Sequence, residues 1–337
     1  MTNNINSISF LLGAGFSKPA GFVTAADINL KLTQLNETNF SISTDNRAWW
    51  LNNDEIDPNA SWSFKKERLF IRYIKDFYVQ ICESFNYEEF VDFCYTFYEN
   101  TSIFLEFNKY LNEKNFEIEN DFKYDQLIHT LHNTIRYLVK SLIYLNEEAY
   151  NLKNYENFFA VFNNLSSLHP INIFTLNHDN LFEHFFNTNK LKGFLSDGFD
   201  LKNSRYYTPT TAGNKTKLSY FSNSYESDIK LFKLHGSLND FIFKNSNNEV
   251  VIVKDSINSW LPVIYEGENS SDYPNPRSMQ PFFLMGSNYK IKHYTNPIYY
   301  NPLFERFREK LVESSYLIVI GYSFKDSKIN DLIRGNS

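Results

Sequence analysis

The side chains best suited to chemistry stand just after short apolar runs. Asn177 and Asp179 follow "INIFT" at 171–175, so an amide and a carboxylate sit two residues apart beside Thr175. His235, Gly236 and Ser237 follow "IKLFKL" at 229–234. A histidine fixed at a strand end can act as a base near neutral pH. Gly13-Ala14-Gly15-Phe16-Ser17, with Gly21, follows Ile8–Leu12. Glycines there let backbone amides approach a diphosphate, and a following helix offers its positive N-terminus. No Gly-Lys-Ser/Thr follows, so this is not a P-loop, and the third glycine is misplaced for the dehydrogenase fingerprint. Gly321 and Ser323 follow "LIVI" at 317–320 and can hydrogen-bond a ribose or phosphate.

Each segment also has a structural reading. The glycines can be plain turn residues, Asp179 or Asn180 can cap a helix over Leu181–Phe186, and a lone histidine is more often structural than catalytic. Four polar segments at four strand ends of one sheet are harder to dismiss, because open parallel sheets bind ligands outside the carboxyl ends of their strands.

The elements that must position these residues read as follows. Ile8–Leu12, Ile171–Thr175, Ile229–Leu234 and Leu317–Ile320 are short apolar runs, as strands buried on both faces require. Thr24–Leu35 reads as a helix with Thr24 at its N-cap. Residues 37–60, with Pro58, read as an irregular connection. Phe64–Phe85, Glu88–Tyr98 and Phe122–Leu145 carry apolar residues at helical spacing. Their Phe and Tyr stripes fit a helical core or an oligomer face better than a cofactor box. Asp240–Val253 reads as a hairpin around Asn245–Asn248, residues 261–302 as a long structured loop, and Pro302–Ser314 as a helix. The fold expected is α/β: a doubly wound, Rossmann-like parallel sheet over 1–36 and 166–337, interrupted by a large α-helical insertion over 37–165. No internal repeat is apparent.

Composition narrows the class. A chain of 337 residues, 42% hydrophobic, can bury one large core or two smaller ones. Its net charge of -6 argues against a broad nucleic-acid surface. Cys82 and Cys94 are too few for a disulfide framework or a four-thiolate zinc site. The first ten residues lack a secretory signal, and no apolar run reaches the roughly 18 residues needed to cross a bilayer. A soluble cytoplasmic protein is expected, with no membrane contact and no metal.

In this order and context, "GAGFS", Thr175-x-Asn177-x-Asp179, "KLHGS" and "GYS" resemble the sirtuin fold. More closely, with the "GYSF…D…IN" ending, they look like the sirtuin-like domains of bacterial anti-phage defence proteins. The resemblance implies NAD⁺ bound across the sheet's crevice. On that basis Gly13, Ala14, Gly15 and Ser17 cradle the diphosphate, and Gly321 and Ser323 hold the adenosine side. Asn177 and Asp179 face the nicotinamide ribose with Thr175 beside them, and His235 contacts its hydroxyls with Gly236 adjacent. The implied activity is an NAD⁺ glycohydrolase acting as the toxic effector of abortive infection, held in check until a trigger or assembly releases it. A homo-oligomer and a defence-system partner or phage trigger protein are the expected associations.

Departures from the deacetylase sirtuins bear on the substrate. The zinc module is absent, Gly21-Phe-Val-Thr-Ala-Ala-Asp27 lacks the family's Phe-Arg pair, and Leu176 replaces the usual Gln before the catalytic Asn. These disfavour an acyl-lysine channel and favour plain hydrolysis. The alternative is a sensor that binds NAD⁺ or an ADP-ribose derivative without turning it over; a decayed assembly module is a blander reading. The chain ends at Ser337, inside the helix after "GYSF", where the fold normally adds another strand, so a truncated N-terminal effector domain is expected.

Overall fold

The computed structural model describes residues 6–43, 47–51, 64–118, 121–210, 213–255, 264–268, 280–286 and 295–335. Pro58 and most of the loop expected over 261–302 lie outside them. Two compact units result, one of 1–22, 145–284 and 292–337, the other of 23–144 and 285–291.

The chain opens with β1 (Ile8–Leu12) and the single turn α1 (Ala14–Ser17). The second unit then begins with α2 (Ala25–Thr33), where the Thr24 N–H donates to Asp27 Oδ2 at 2.7 Å. It continues through the hairpin β2 (Phe40–Ile42) and β3 (Ala48–Trp50), then α3 (Lys65–Ile81), α4 (Tyr87–Thr96), α5 (Thr101–Glu113) and α6 (Asp121–Ile143). Asn86 and Asn100 cap α4 and α5, each side-chain oxygen accepting from two backbone N–H groups. The aromatic stripes turn inward. Phe70, Phe77, Phe97 and Phe107 are almost fully buried and meet edge to face or tilted, with centroids 5.3–5.8 Å apart. Each such ring contributes about 1.5–3 kcal/mol by leaving water. This unit takes in α2, which lies before the 37–165 expected from sequence, leaves out 145–165 and adds 285–291.

The first unit resumes with α7 (Glu156–Ser166), β4 (Ile171–Thr175), α8 (Leu181–Asn187), β5 (Leu195–Ser196), β6 (Gly198–Asp200), β7 (Tyr206–Pro209) and β8 (Lys215–Ser224). Then come β9 (Ile229–Lys233), β10 (Gly236–Lys244), β11 (Val250–Lys254), β12 (Tyr265–Glu266) and β13 (Gln280–Phe283). It ends with α9 (Tyr300–Glu313), β14 (Tyr316–Ile320) and α10 (Ser327–Arg334). Five strands form a parallel sheet in the order β14-β1-β4-β9-β5.

Alternation within the strands covers both faces. Phe10, Leu12, Ile171, Ile173, Ile229 and Leu231 pack with Phe159 and Phe162 of α7 and Phe182 and Phe185 of α8. Leu11, Phe174 and Phe232 pack with Phe304 and Phe307 of α9 and Ile329 of α10. The helix leading into β4 thus covers one face and the helix leading into β14 the other, so the winding reverses beside β1. This is a doubly wound, Rossmann-like α/β sheet, and the reversal is where such sheets open a crevice.

A second sheet lies beyond the sequence reading, which found only its hairpin. Among the described residues it has seven antiparallel strands, β12-β7-β8-β11-β10-β13 with β6 on β8. Tyr206, Leu218, Phe241, Phe243 and Val253 form its buried core.

Candidate active site

Ile320, Leu12, Thr175 and Lys233 are register partners across β14, β1, β4 and β9, so the four strands end level. The ladder runs one step further, with Gly13 N donating to Ile320 O, Leu176 N to Leu12 O, and Leu234 N to Thr175 O, each at 3.0 Å. All four segments picked out in the sequence therefore leave one edge of one sheet.

The glycine turns lock into each other. Gly15 N donates to Gly321 O at 3.0 Å. Gly321 has φ +67°, and a methyl group there would strike the backbone of Phe16 and Gly15. A methyl on Gly15 would come within 2.8 Å of Gly321 Cα, and one on Gly13 within 2.6 Å of Gly321 O. The amides of Gly13 and Gly15 are thus committed to the neighbouring loop, whereas the sequence reading offered them to a diphosphate. Gly13 is buried; Ala14, Gly15, Gly321 and Ser323 are exposed along the edge.

Asn177 reaches back across this turn. Its Nδ2 donates to Gly13 O at 3.0 Å and to Ser17 Oγ at 2.9 Å, and its backbone N–H donates to Thr175 Oγ1 at 3.0 Å. A carbonyl only accepts, so the Gly13 contact fixes which end of the amide is nitrogen. Both amide hydrogens are engaged, and Oδ1 remains as the acceptor. Ser17 is 2% exposed, and its hydroxyl also bonds the Asp179 carboxylate. Asp179 is buried, with Oδ1 accepting from Leu181 N at 3.1 Å at the start of α8. Burial pushes its carboxyl pKa up, and the Lys233 ammonium opposes that rise. Asp179 and Ser17 therefore do not present themselves at the edge; they brace Asn177 and the turn below it. Thr175, also buried, does the same.

On the neighbouring strand end, His235 is 8% exposed. Its ring centroid lies 6.2 Å from that of His178, which in turn lies 5.0 Å from Phe283. Its Nε2 is 3.4 Å from Asp326 Oδ2. Gly236 takes φ +77°, and a methyl there would strike Phe282 O, so this glycine admits β13 beside β10. The structure thus gathers the four segments at one edge and divides them. Asn177, Ala14, Gly15, Gly321 and Ser323 lie on its accessible side with His235 just beneath, while Gly13, Ser17, Thr175, Asp179 and Gly236 support them.

Two charged residues escaped selection as site residues, although both stand within the quoted motifs. Asp326 is one. Lys233 is the other: its buried ammonium donates to Asp179 O at 2.6 Å, Ser237 Oγ at 2.9 Å and Asn180 Oδ1 at 3.1 Å, and pairs with Glu183 at 2.9 Å. A lysine beginning "KLHGS" marks a cation at the strand end, but its partners on another segment are visible only in the fold. Among the described residues no group of three or more His, Cys, Asp or Glu is placed to hold a metal ion, and no helix is long and apolar enough to cross a membrane.

No curated protein matches the chain. Residues 171–336 match the family model described as the SIR2-like domain. That span carries β4, β9 and β14 with Asn177, His235 and Gly321, and β1 with its glycine turn completes the same edge. The match supports a sirtuin-like domain with an NAD⁺-related activity on this Rossmann-like sheet.

Proposed function

We propose that the chain is an NAD⁺ glycohydrolase, converting NAD⁺ and water to ADP-ribose, nicotinamide and a proton. The observation that carries this reading is the level pair of strand ends. It sets an amide with one remaining acceptor, Asn177 Oδ1, on the strand end next to a buried histidine, His235.

The chemistry asks for little more. Nicotinamide leaves as a neutral molecule from a pyridinium, so the departing group needs no acid. The barrier lies in the oxocarbenium ion that develops on the ribose, which needs electrostatic stabilisation and a placed nucleophile. Asn177 Oδ1 accepts a hydrogen from a ribose hydroxyl or from the attacking water. His235 takes the proton that the water or hydroxyl releases. The exposed residues Ala14, Gly15, Gly321 and Ser323 are assigned to the diphosphate and adenosine side. Asp179 and Ser17 act as positioning residues for Asn177. The finer reading, a toxic anti-phage effector working on the cytoplasmic NAD⁺ pool, rests on the likeness of the four segments to the defence branch of the sirtuin fold.

Mass-spectrometric detection of nicotinamide after incubation with NAD⁺ tests the activity. The parent chain is expected to release it, and Asn177→Ala and His235→Ala to be inert while still folded. Tight calorimetric binding of NAD⁺ with no product over hours would replace this reading with the non-hydrolytic sensor.

A further inference from the structure

A base at a strand end needs something to hold its ring, and the turn after β14 supplies a carboxylate there. His235 Nε2 and Asp326 Oδ2 are 3.4 Å apart, with side chains only 9% and 7% exposed. Asp326 is itself tightly held. Its Oδ1 accepts from Ile329 N at 3.2 Å, capping α10, and its carbonyl accepts from the Tyr322 hydroxyl at 3.0 Å. Tyr322 also reaches Asn330 Oδ1 at 2.9 Å, and the Asn330 amide donates to Phe324 O at 2.7 Å. Phe324 takes φ +56°, the bend that brings the loop back over the helix start. These contacts, all within residues 322–330, hold the carboxylate in place.

We propose that Asp326 is a positioning residue for His235 and that the two work as a unit. The idea rests on the hydrolase reading for the origin of the proton, not for the pairing. An ionised carboxylate only accepts, so it favours a hydrogen on the ring nitrogen that faces it, Nε2. When the ring takes a proton from the water or ribose hydroxyl, the nearby negative charge stabilises the imidazolium. The shielding of both side chains from water strengthens that attraction.

Other elements also bring titratable groups to this corner. His178 comes from the turn after β4, and the Tyr300 hydroxyl of α9 lies beside Gly236. The Lys233 ammonium is turned to Glu183 at 2.9 Å. Among the described residues, Asp326 brings a negative charge within ion-pair distance of the ring.

Asp326→Asn tests this on the full chain, because asparagine caps a helix as well as aspartate does and only the charge is lost. NMR titration of the His235 imidazole, assigned with His235→Gln, is expected to give a pKa lower by about one unit or more in the variant. With NAD⁺ as substrate, kcat should fall while KM holds, and the acid limb of the kcat profile should move to lower pH with the histidine. A His235 resonance that titrates at the same pH in both proteins would overturn the pairing, whether or not NAD⁺ is consumed. A shifted resonance in a chain that releases no nicotinamide would support the pairing and overturn the hydrolase reading instead. Should Asp326→Asn fail to fold, Asp326→Ser retains a capping oxygen and carries the same test.

Discussion

The Asn177 side-chain amide donates to the Ser17 hydroxyl at 2.9 Å across 160 positions of chain. Ser17 in turn bonds Asp179, so a single buried hydroxyl ties the turns after β1 and β4 together. Ser17→Ala leaves the amide one partner short and strips the carboxylate of a donor. Unsatisfied buried groups of this kind cost about 1–3 kcal/mol each. Urea denaturation should show a loss of that order, and nicotinamide release should fall further than NAD⁺ affinity does, since the acceptor is misaimed rather than removed. Equal losses in affinity and turnover would argue that Ser17 touches the ligand itself.

The glycine turns make a prediction of opposite character. A left-handed φ costs a non-glycine residue about 1–2 kcal/mol, and at Gly321 a methyl group also meets the backbone of Phe16 and Gly15. Gly321→Ala should therefore lower the melting temperature sharply or abolish soluble expression. Ser323→Ala, two residues on and exposed, should stay within about 0.5 kcal/mol of the parent and raise KM for NAD⁺ with kcat retained. Thermal melts beside kinetics decide between a turn that shapes the fold and one that only lines a site.

How far the sequence revealed this arrangement depends on which interactions are local. β1, β4, β9 and β14 were legible because strands buried on both faces become near-continuous apolar runs, and Asn245–Asn248 marked the hairpin through its turn residues. Lys215–Ser224, "KTKLSYFSNS", was not legible as β8, because most of its side chains are only half-buried and few are aliphatic. Helix α5 was missed for a related reason: among its apolar residues only Phe107 and Leu111 are buried, while Leu105 is 62% exposed. At the edge of the sheet, residue types pointed to Asn177 and His235. Which groups are braces and which face outward depended on contacts between segments far apart in the chain.

Lys233 and Glu183 show the cost of such contacts. The ammonium is 4% exposed, and breaking a buried pair of this kind costs about 3–5 kcal/mol, because a charge is left without its partner. Lys233→Met should be destabilising by that order, and nicotinamide release should drop as the turn carrying Asp179 and Asn180 loosens. Glu183→Gln added to it should restore part of the stability, since the second charge is then gone and Lys254 keeps Asp197 at 2.5 Å. Additive losses in the double variant, measured by urea denaturation, would show that the pair is not coupled.

The helical unit has a pH dependence of its own. His132 stacks on Tyr95 with ring centroids 4.2 Å apart, and its Nε2 donates to the Cys94 carbonyl at 2.9 Å. Burial pushes its pKa from 6.5 down to about 4. In the unfolded chain the ring takes up a proton as pH falls through 6.5, while the folded ring stays neutral until about 4. The unfolded state then binds more protons, so stability falls with pH across that window and is fully present only above it. At about 1.4 kcal/mol per unit of pKa, the loss approaches ~3 kcal/mol near pH 4. His132→Gln can still donate to the Cys94 carbonyl and cannot be protonated, so it should lose less stability than the parent between pH 7 and 4.5. Urea midpoints at the two pH values, compared between the proteins, isolate this histidine from the other titrating groups. The same acid loss in both would mean that His132 is already protonated in the fold.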